Sequence, residues 1–358
     1  MKRLRRLLLP FAYLYGIVVE GIKFSYRLGW QKSTHFQVPT VVLGNLSTGG
    51  TGKTPHTEYI LKRLRQQYNI VVLSRGYGRK TKGFRWVEPS DAATAAGDEP
   101  LQIKKGFPNV PVVVCEKRTL AIPKILAQLP ETNLILLDDG MQHWPLTADC
   151  YIMFSPFSDP FFNDYILPAG NLREFRFNYT RAHIIVLSKC PPEITEAQRQ
   201  DILGRLKPAA HQKVYFSYLK YGLPYQISDY EKKLAWEALA DLNIFLIVGI
   251  ATPAALVEQL KKYSTNIELY QVSDHHYYND KDLAAMLARF SKLQTNQGPS
   301  IMLSTAKDAV RLKPLLPISA ASTLYIVPIE VEFAFREGDA FLQQLLALSI
   351  ENKKKRHL

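Results

Sequence analysis

An α/β fold built on a mostly parallel sheet is predicted for this chain, and three observations predict it. After Pro39, short apolar runs without strict alternation are separated by polar or helix-compatible stretches, the pattern of buried parallel strands covered by helices. The length, 358 residues, suits about two domains at roughly 100–200 residues each. Hydrophobic residues make up 47% and charged residues 22%. That is enough apolar matter for a real core, and it excludes a wholly disordered or collagen-like chain.

The first element is an N-terminal amphipathic helix. Leu4, Leu7, Phe11, Leu14, Val18 and Ile22 recur at steps of three and four, which gathers them on one face. Lys2, Arg5, Arg6, Glu20, Lys23 and Arg27 fall on the other. Residues 1–32 carry seven basic side chains against one acid, a net +6 of the chain's +13. The apolar run Leu7–Val19 is shorter than the roughly 20 residues a spanning helix needs, and Pro10 is placed to kink the helix or delay its start. A basic amphipathic helix suits an anionic membrane interface. A signal peptide and a helix packed on its own domain are the alternatives; no small-residue cleavage site follows the apolar run.

Strands are expected at Thr40–Leu43, Ile70–Ser74, Val110–Cys115, Leu134–Leu137, Cys150–Phe154 and His183–Ser188, with a polar helical stretch at Pro191–Lys213. A second α/β unit begins with Asn243–Val248 and the helix Pro253–Tyr263, and has further strands at Ser300–Ser304 and Thr323–Pro328. The boundaries drawn are an interfacial helix at 1–30, a first domain at 31–213, a strand-like linker at 214–230 and a smaller C-terminal α/β domain at 231–358.

The strand at Thr40–Leu43 feeds Gly44-Asn45-Leu46-Ser47-Thr48-Gly49-Gly50-Thr51-Gly52-Lys53-Thr54. Residues 47–54 have Walker A spacing, with Ser47 in the first glycine position. Ser47, Thr48, Gly49, Gly50, Thr51, Gly52, Lys53 and Thr54 are therefore the candidate ATP site. Glycines let backbone N–H groups wrap phosphates, Lys53 faces the β- and γ-phosphates, and the Thr54 hydroxyl suits Mg²⁺. The strand Leu134–Leu137 ends in Asp138-Asp139, a Walker B pair that would hold Mg²⁺. The fold class is thus a P-loop NTPase core plus the smaller domain and the helix. A GTPase fits poorly, because Leu187-Ser188-Lys189-Cys190 lacks the base-reading Asn and Asp.

Other polar groups gather at strand ends, where an open α/β sheet binds ligands. Arg75 and Tyr77 lie in Ser74–Arg79, Glu99 follows Asp98 in a Gly-Asp-Glu-Pro turn, Gln142 and His143 follow the Walker B acids, and Asn171 and Arg173 lie in Leu167–Glu174. These are the candidate substrate contacts. Asp98 also suits a helix N-cap. Asp274-His275-His276 lies in the second unit with no suitably spaced third metal ligand. Cys115, Cys150 and Cys190 are widely separated, so a disulfide framework is not expected and a reducing compartment is. The positive charge wants an anionic partner, but no aromatic–basic module points to nucleic acid.

Taken in order, these motifs resemble the tetraacyldisaccharide 4′-kinase (lipid A 4′-kinase) family. The matching pieces are the N-terminal helix, Val42–Pro55, Leu73–Arg79, Gly97–Pro100, Leu137–His143, Leu167–Glu174, Asp274–His276 and Ser304–Leu312. Met141 stands where the family often has Phe, Trp144 where it often has Arg, and Phe175 where Pro is usual. The resemblance implies γ-phosphoryl transfer from ATP to the 4′-hydroxyl of tetraacyldisaccharide 1-phosphate, giving lipid IVA. It implies Asp98 as general base with His275 as its partner. Lys53 and Arg118 would serve the phosphates, and Asp138, Asp139 and Glu174 would manage Mg²⁺ and the acceptor. It also implies peripheral attachment to the cytoplasmic face of the inner membrane, and a monomer is expected. The competing readings are a P-loop kinase or NTPase with another substrate, and a membrane-recruited P-loop switch.

Overall fold

The computed structural model describes residues 5–250, 253–274 and 276–355. In chain order the strands are β1 (Thr40–Gly44), β2 (Ile70–Ser74), β3 (Arg85–Trp86), β4 (Val112–Val114), β5 (Leu134–Asp138), β6 (Cys150–Pro156), β7 (Ile184–Ser188) and β8 (Lys213–Tyr221). They continue with β9 (Tyr225–Gln226), β10 (Asp229–Lys233), β11 (Asn243–Val248), β12 (Ile267–Gln271), β13 (Ser300–Thr305), β14 (Leu324–Val327) and β15 (Ile329–Phe333). They form a nine-stranded sheet ordered β15-β8-β7-β6-β1-β5-β2-β4-β3 and a six-stranded sheet ordered β10-β9-β14-β13-β11-β12.

In the larger sheet every pairing from β8 across to β4 is parallel, and only the edge strands β15 and β3 are antiparallel. The central strand β1 is buried throughout because both faces of the sheet are covered. Val42 packs into one apolar cluster, while Val41 and Leu43 pack into the other with Ile60 and Leu61 of the helix Lys53–Leu64. Each fully buried side chain of this kind contributes roughly 1.5–3 kcal/mol. Parallel strands align their carboxyl ends, so the loops after β1, β2, β5 and β7 open on one rim.

The chain divides differently from the expected boundaries. Residues 214–221, expected as part of a strand-like linker, belong to β8, which pairs with β7. Residues 329–333, expected in the C-terminal domain, return to the first sheet as β15 and pair with β8. The helix Gly338–Lys355 follows them there. Aromatic packing accounts for the return: Phe341 stacks on Phe333 at 4.6 Å and meets Tyr215 of β8 at 5.6 Å. The second unit is therefore an insertion, carried between β8 and β15.

Pro10 does not kink the N-terminal helix. A short 3₁₀ turn (Arg6–Leu8) leads into the α-helix Leu9–Arg27, and the proline sits in its first turn, where no backbone donor is lost. The segment Arg6–Arg27 is continuous and long and apolar enough to cross a membrane, unlike the run Leu7–Val19 alone. It nevertheless lies along the first domain. Tyr15 donates to the Arg173 carbonyl at 3.2 Å, Gly16 abuts Phe175, and Lys23 is buried against the domain. Leu7, Phe11, Leu14, Val18 and Ile22 all remain exposed, so the apolar face is not spent on packing within the chain.

Candidate active site

The loop after β1 carries three glycines, two of them, Gly49 and Gly52, with left-handed backbone. Gly49 has φ +104°, which disfavours any side chain, and no atom lies within 4 Å of where a Cβ would stand on Gly49 or Gly50. Three consecutive carbonyls of the loop are engaged from outside. Lys189 Nζ donates to the Gly50 carbonyl at 2.8 Å, Ser188 Oγ to that of Thr51 at 2.8 Å, and His56 Nδ1 to that of Gly52 at 2.7 Å. Carbonyls turned outward leave the N–H groups free to line an anion cradle. Donation to Gly52 makes His56 Nε2 the acceptor for Ser217 Oγ, 2.9 Å away. Burial pushes His56 down to about 4, against the opposing Gly52 bond, so the ring is neutral.

Lys53 opens the helix Lys53–Leu64. Its ammonium donates to Asn45 Oδ1 at 3.1 Å and stands 3.6 Å from Asp139. The two acids at the end of β5 have opposite surroundings. Asp138 is buried, and neither carboxylate oxygen has a hydrogen-bond partner among the described residues. Burial first, then the charge of Glu99, pushes it up to about 7. Asp139 is also pushed up by burial, but Lys53 and Arg173 outweigh this and hold it below the usual range. A buried carboxylate without partners, close to a phosphate loop that ends in the Thr54 hydroxyl, fits a hard divalent cation such as Mg²⁺.

Arg118 begins the helix Arg118–Gln128 and is buried. It donates to the carbonyls of Glu116 and Asp139, each at 3.3 Å, and its Nε has no partner among the described residues. Burial, then Arg118 and Arg75, pushes His143 down to about 4, so its ring is neutral in this basic corner. Arg75 and Tyr77 are exposed on the loop after β2. Gly97 (φ +92°) lets that loop close on the next turn; a Cβ there would stand 3.0 Å from the Tyr77 carbonyl. Asp98, with Glu99 after it, follows as the first residue of the helix Asp98–Gly106. Gly97 holds the cap position, so Asp98 is not the N-cap. Its carboxylate is buried, 3.8 Å from Arg311 of the second unit.

Arg311 also donates to the His276 carbonyl at 2.9 Å and pairs with Asp308 at 2.7 Å. Tyr277 donates to the Gly78 carbonyl at 2.7 Å, and Lys307 pairs with Asp274 at 2.7 Å. The loop around position 275 thus reaches the first domain beside Asp98; His275 itself lies outside the described residues.

The segment 171–175 flanks the phosphate loop. Asn171 accepts the Thr48 N–H at 2.7 Å, and its side chain accepts from Arg5 at 3.0 Å. Arg173 donates to both Asp139 oxygens, at 3.1 and 3.3 Å. Glu174 departs from the expected catalytic role. It is fully buried and ion-paired with Arg181 and with Lys23, the latter at 3.3 Å, so its charge is already neutralised away from the cleft. Gln142 bridges Glu174 at 2.8 Å and the Asn45 carbonyl at 2.9 Å.

Asn45, His56, Ser188, Lys189 and Arg311 join the site although no motif in the sequence singles them out. Asn45 lies two residues before the Walker A run, and its contacts with Lys53, Arg173 and Gln142 are what distinguish it. Ser188 closes β7 and Lys189 follows it, at the carboxyl end of a parallel strand, where an open α/β sheet binds ligands.

A family model described as Tetraacyldisaccharide-1-P 4′-kinase matches residues 4–349. A Tetraacyldisaccharide 4′-kinase of Bacteroides thetaiotaomicron is 36% identical over 363 residues, covering 98% of this chain and 95% of its own. One from Flavobacterium johnsoniae is 37% identical over 333 residues, covering 93% and 94%. Among solved structures, the "apo" form of LpxK from Aquifex aeolicus in complex with ATP superposes with a TM-score of 0.74 at 26% identity. The match covers 96% of this chain and 99% of that one.

Proposed function

The chain belongs to the tetraacyldisaccharide-1-phosphate 4′-kinase family, and from that premise we propose how this site moves the γ-phosphoryl group of ATP to the 4′-hydroxyl of tetraacyldisaccharide 1-phosphate, giving lipid IVA. The single observation that carries the reading is the phosphate loop with its carbonyls tied outward and Lys53 beside the Walker B acids. The loop N–H groups and Lys53 hold the β- and γ-phosphates, and Arg118 and Arg173 add positive charge where the transferred group becomes most anionic.

Thr54 and Asp138 are the residues that would hold Mg²⁺; Asp138 comes first because Asp139 is committed to Arg173 and Lys53. Bound there, the cation would offset phosphate charge. Asp98 takes the proton from the 4′-hydroxyl, and His275 assists it. Arg75, Tyr77, Glu99, Gln142, His143 and Asn171 remain the candidate acceptor contacts, with Gln142 and Asn171 also bracing the loop. Arg311, reaching Asp98 from the inserted unit, ties assembly of the base to closure of the two units.

The acceptor is a lipid. The exposed apolar face of the N-terminal helix, flanked by cations, supports peripheral attachment, and the need for ATP puts that attachment on the cytoplasmic face of the inner membrane. A monomer suffices, since one chain supplies every proposed residue. The test is transfer of ³²P from γ-labelled ATP to tetraacyldisaccharide 1-phosphate by the full chain and by Lys53→Ala. Acceptor-dependent product from the wild type and none from folded Lys53→Ala is expected. ATP turnover indifferent to the acceptor would instead favour a switch or a kinase with another substrate.

A further inference from the structure

Lys23 is a buried cation on a helix whose other buried residues are Ala12 and Gly16. It donates to Glu20 at 2.7 Å and to Asn178, and it stands 3.3 Å from the fully buried Glu174. Its ammonium also lies 4.9 Å from the Trp144 ring centre, with Arg181 4.2 Å from the same ring. Placing a lysine here desolvates it, a cost that only good pairing recovers. A helix needing only a greasy seat would use a smaller apolar residue at this position.

The destination of the pairing explains the lysine. Glu174 accepts from Gln142 Nε2 at 2.8 Å, and the same Nε2 donates to the Asn45 carbonyl at 2.9 Å. Asn45 Oδ1 then accepts from Lys53 at 3.1 Å and from Arg173. A continuous set of polar contacts therefore joins the N-terminal helix to the phosphate-loop lysine. A second connection runs in parallel: Tyr15 holds the Arg173 carbonyl at 3.2 Å, and the Arg173 N–H donates to the Leu46 carbonyl at 2.7 Å. The segment 173–175 is gripped by the helix on one side and braces the loop on the other.

We infer that Lys23 is a positioning residue of the nucleotide site, acting through Glu174, Gln142 and Asn45 to hold Lys53 in register for ATP. The assignment rests on the kinase reading for its reaction, but ATP binding tests it directly. Without the Lys23 charge, Glu174 keeps Arg181 alone, and Gln142 no longer presents its amide to Asn45 in one fixed orientation.

The experiment compares wild type, Lys23→Met and Lys23→Arg as full chains. It measures the Kd for ATP by calorimetry without lipid, kcat and both KM values, flotation with anionic vesicles, and melting temperature. Lys23→Met should bind ATP about 2- to 30-fold more weakly, the range in which a remote residue modulates a site. Its KM for ATP should rise while that for the disaccharide holds and vesicle flotation is retained, and Lys23→Arg should recover the affinity. Folded Lys23→Met with wild-type ATP affinity overturns the assignment, as does an affinity loss shared equally by the lipid acceptor. If Lys23→Met does not fold, Gln142→Leu cuts the same connection and leaves the ion cluster intact; unchanged ATP affinity in that variant overturns the inference as well. A wild type that binds ATP but transfers nothing to the disaccharide would count against the kinase reading and leave these binding results standing.

Discussion

Replacing Asp138 with Asn should stabilise the nucleotide-free protein while abolishing transfer. Asp138 is buried without hydrogen-bond partners among the described residues, and burial together with Glu99 pushes it from 3.8 to about 7. That gap corresponds to roughly 4 kcal/mol against the charged form once both states are ionised, an upper bound for a group with close charged neighbours. An amide removes this opposition but leaves its own polar atoms unsatisfied, at about 1–3 kcal/mol. The net gain at pH 8 is about 1–3 kcal/mol, a rise in melting temperature of several degrees. Because the folded pKa is raised, the native state holds a proton that the unfolded chain releases between about 4 and 7. The carboxylate's opposition to folding is therefore nearly absent at pH 4, grows through that window and is complete above it. The advantage of Asp138→Asn should shrink by roughly 2–3 kcal/mol between pH 8 and pH 5. Glu58, also pushed up to about 7 by burial, is common to both proteins and cancels in the difference. Differential scanning fluorimetry across pH 5–8 without Mg²⁺ or nucleotide reads the effect. A variant no more stable than wild type at pH 8, or a gap that does not change with pH, refutes the account of Asp138 as an ionised group awaiting a cation.

Asp98→Ala should lower kcat by about 10²–10⁴-fold with ATP affinity preserved, the range for loss of a general base; a kcat loss that only tracks loss of folded protein would reduce Asp98 to a structural role. Gly97→Ala should cost kcat and stability together, because its φ of +92° and the Tyr77 carbonyl 3.0 Å from a Cβ both resist the methyl group. Equal kcat and melting temperature in that variant would show that the turn before Asp98 tolerates displacement. Replacing Leu7, Phe11 and Leu14 by Asp should release the protein from anionic vesicles in flotation assays while leaving the fold intact, since all three are exposed; retained binding would move the membrane contact elsewhere. High salt alone should weaken vesicle binding only in part, because screening acts on the cations and not on the apolar face.

The phosphate site was legible because its chemistry is local. Glycines, a lysine and a hydroxyl at fixed spacing after an apolar run demand one loop geometry, and Thr40–Gly44 and Lys53–Leu64 deliver it. The strands Ile70–Ser74 and Asn243–Val248 were equally plain, being unbroken apolar runs buried on both faces. What escaped depends on contacts distant in sequence. Glu174 reads as one more strand-end acid until Lys23 and Arg181 are seen to enclose it. Ile329–Phe333 reads as a continuation of the second unit, because only its partner β8 and the ring of Phe341 reveal that it has left that unit. A strand end marks Lys189, but its hold on Gly50 is hidden from local pattern because that strand lies far along the chain.

The return of β15 to the first sheet has a consequence for biosynthesis. On the ribosome, residues 213–221 emerge well before 329–333, and the segment between them carries the second sheet. Until the later strand arrives, the nascent chain exposes an unpaired backbone edge on Lys213–Tyr221, the kind of edge that invites adhesion to neighbouring chains. Lys213 and Lys220 lie on that strand, and such charges blunt edge-to-edge pairing. The edge is sealed only after the inserted unit has been synthesised and has had time to fold, so a nascent chain truncated inside the insertion would be the aggregation-prone species.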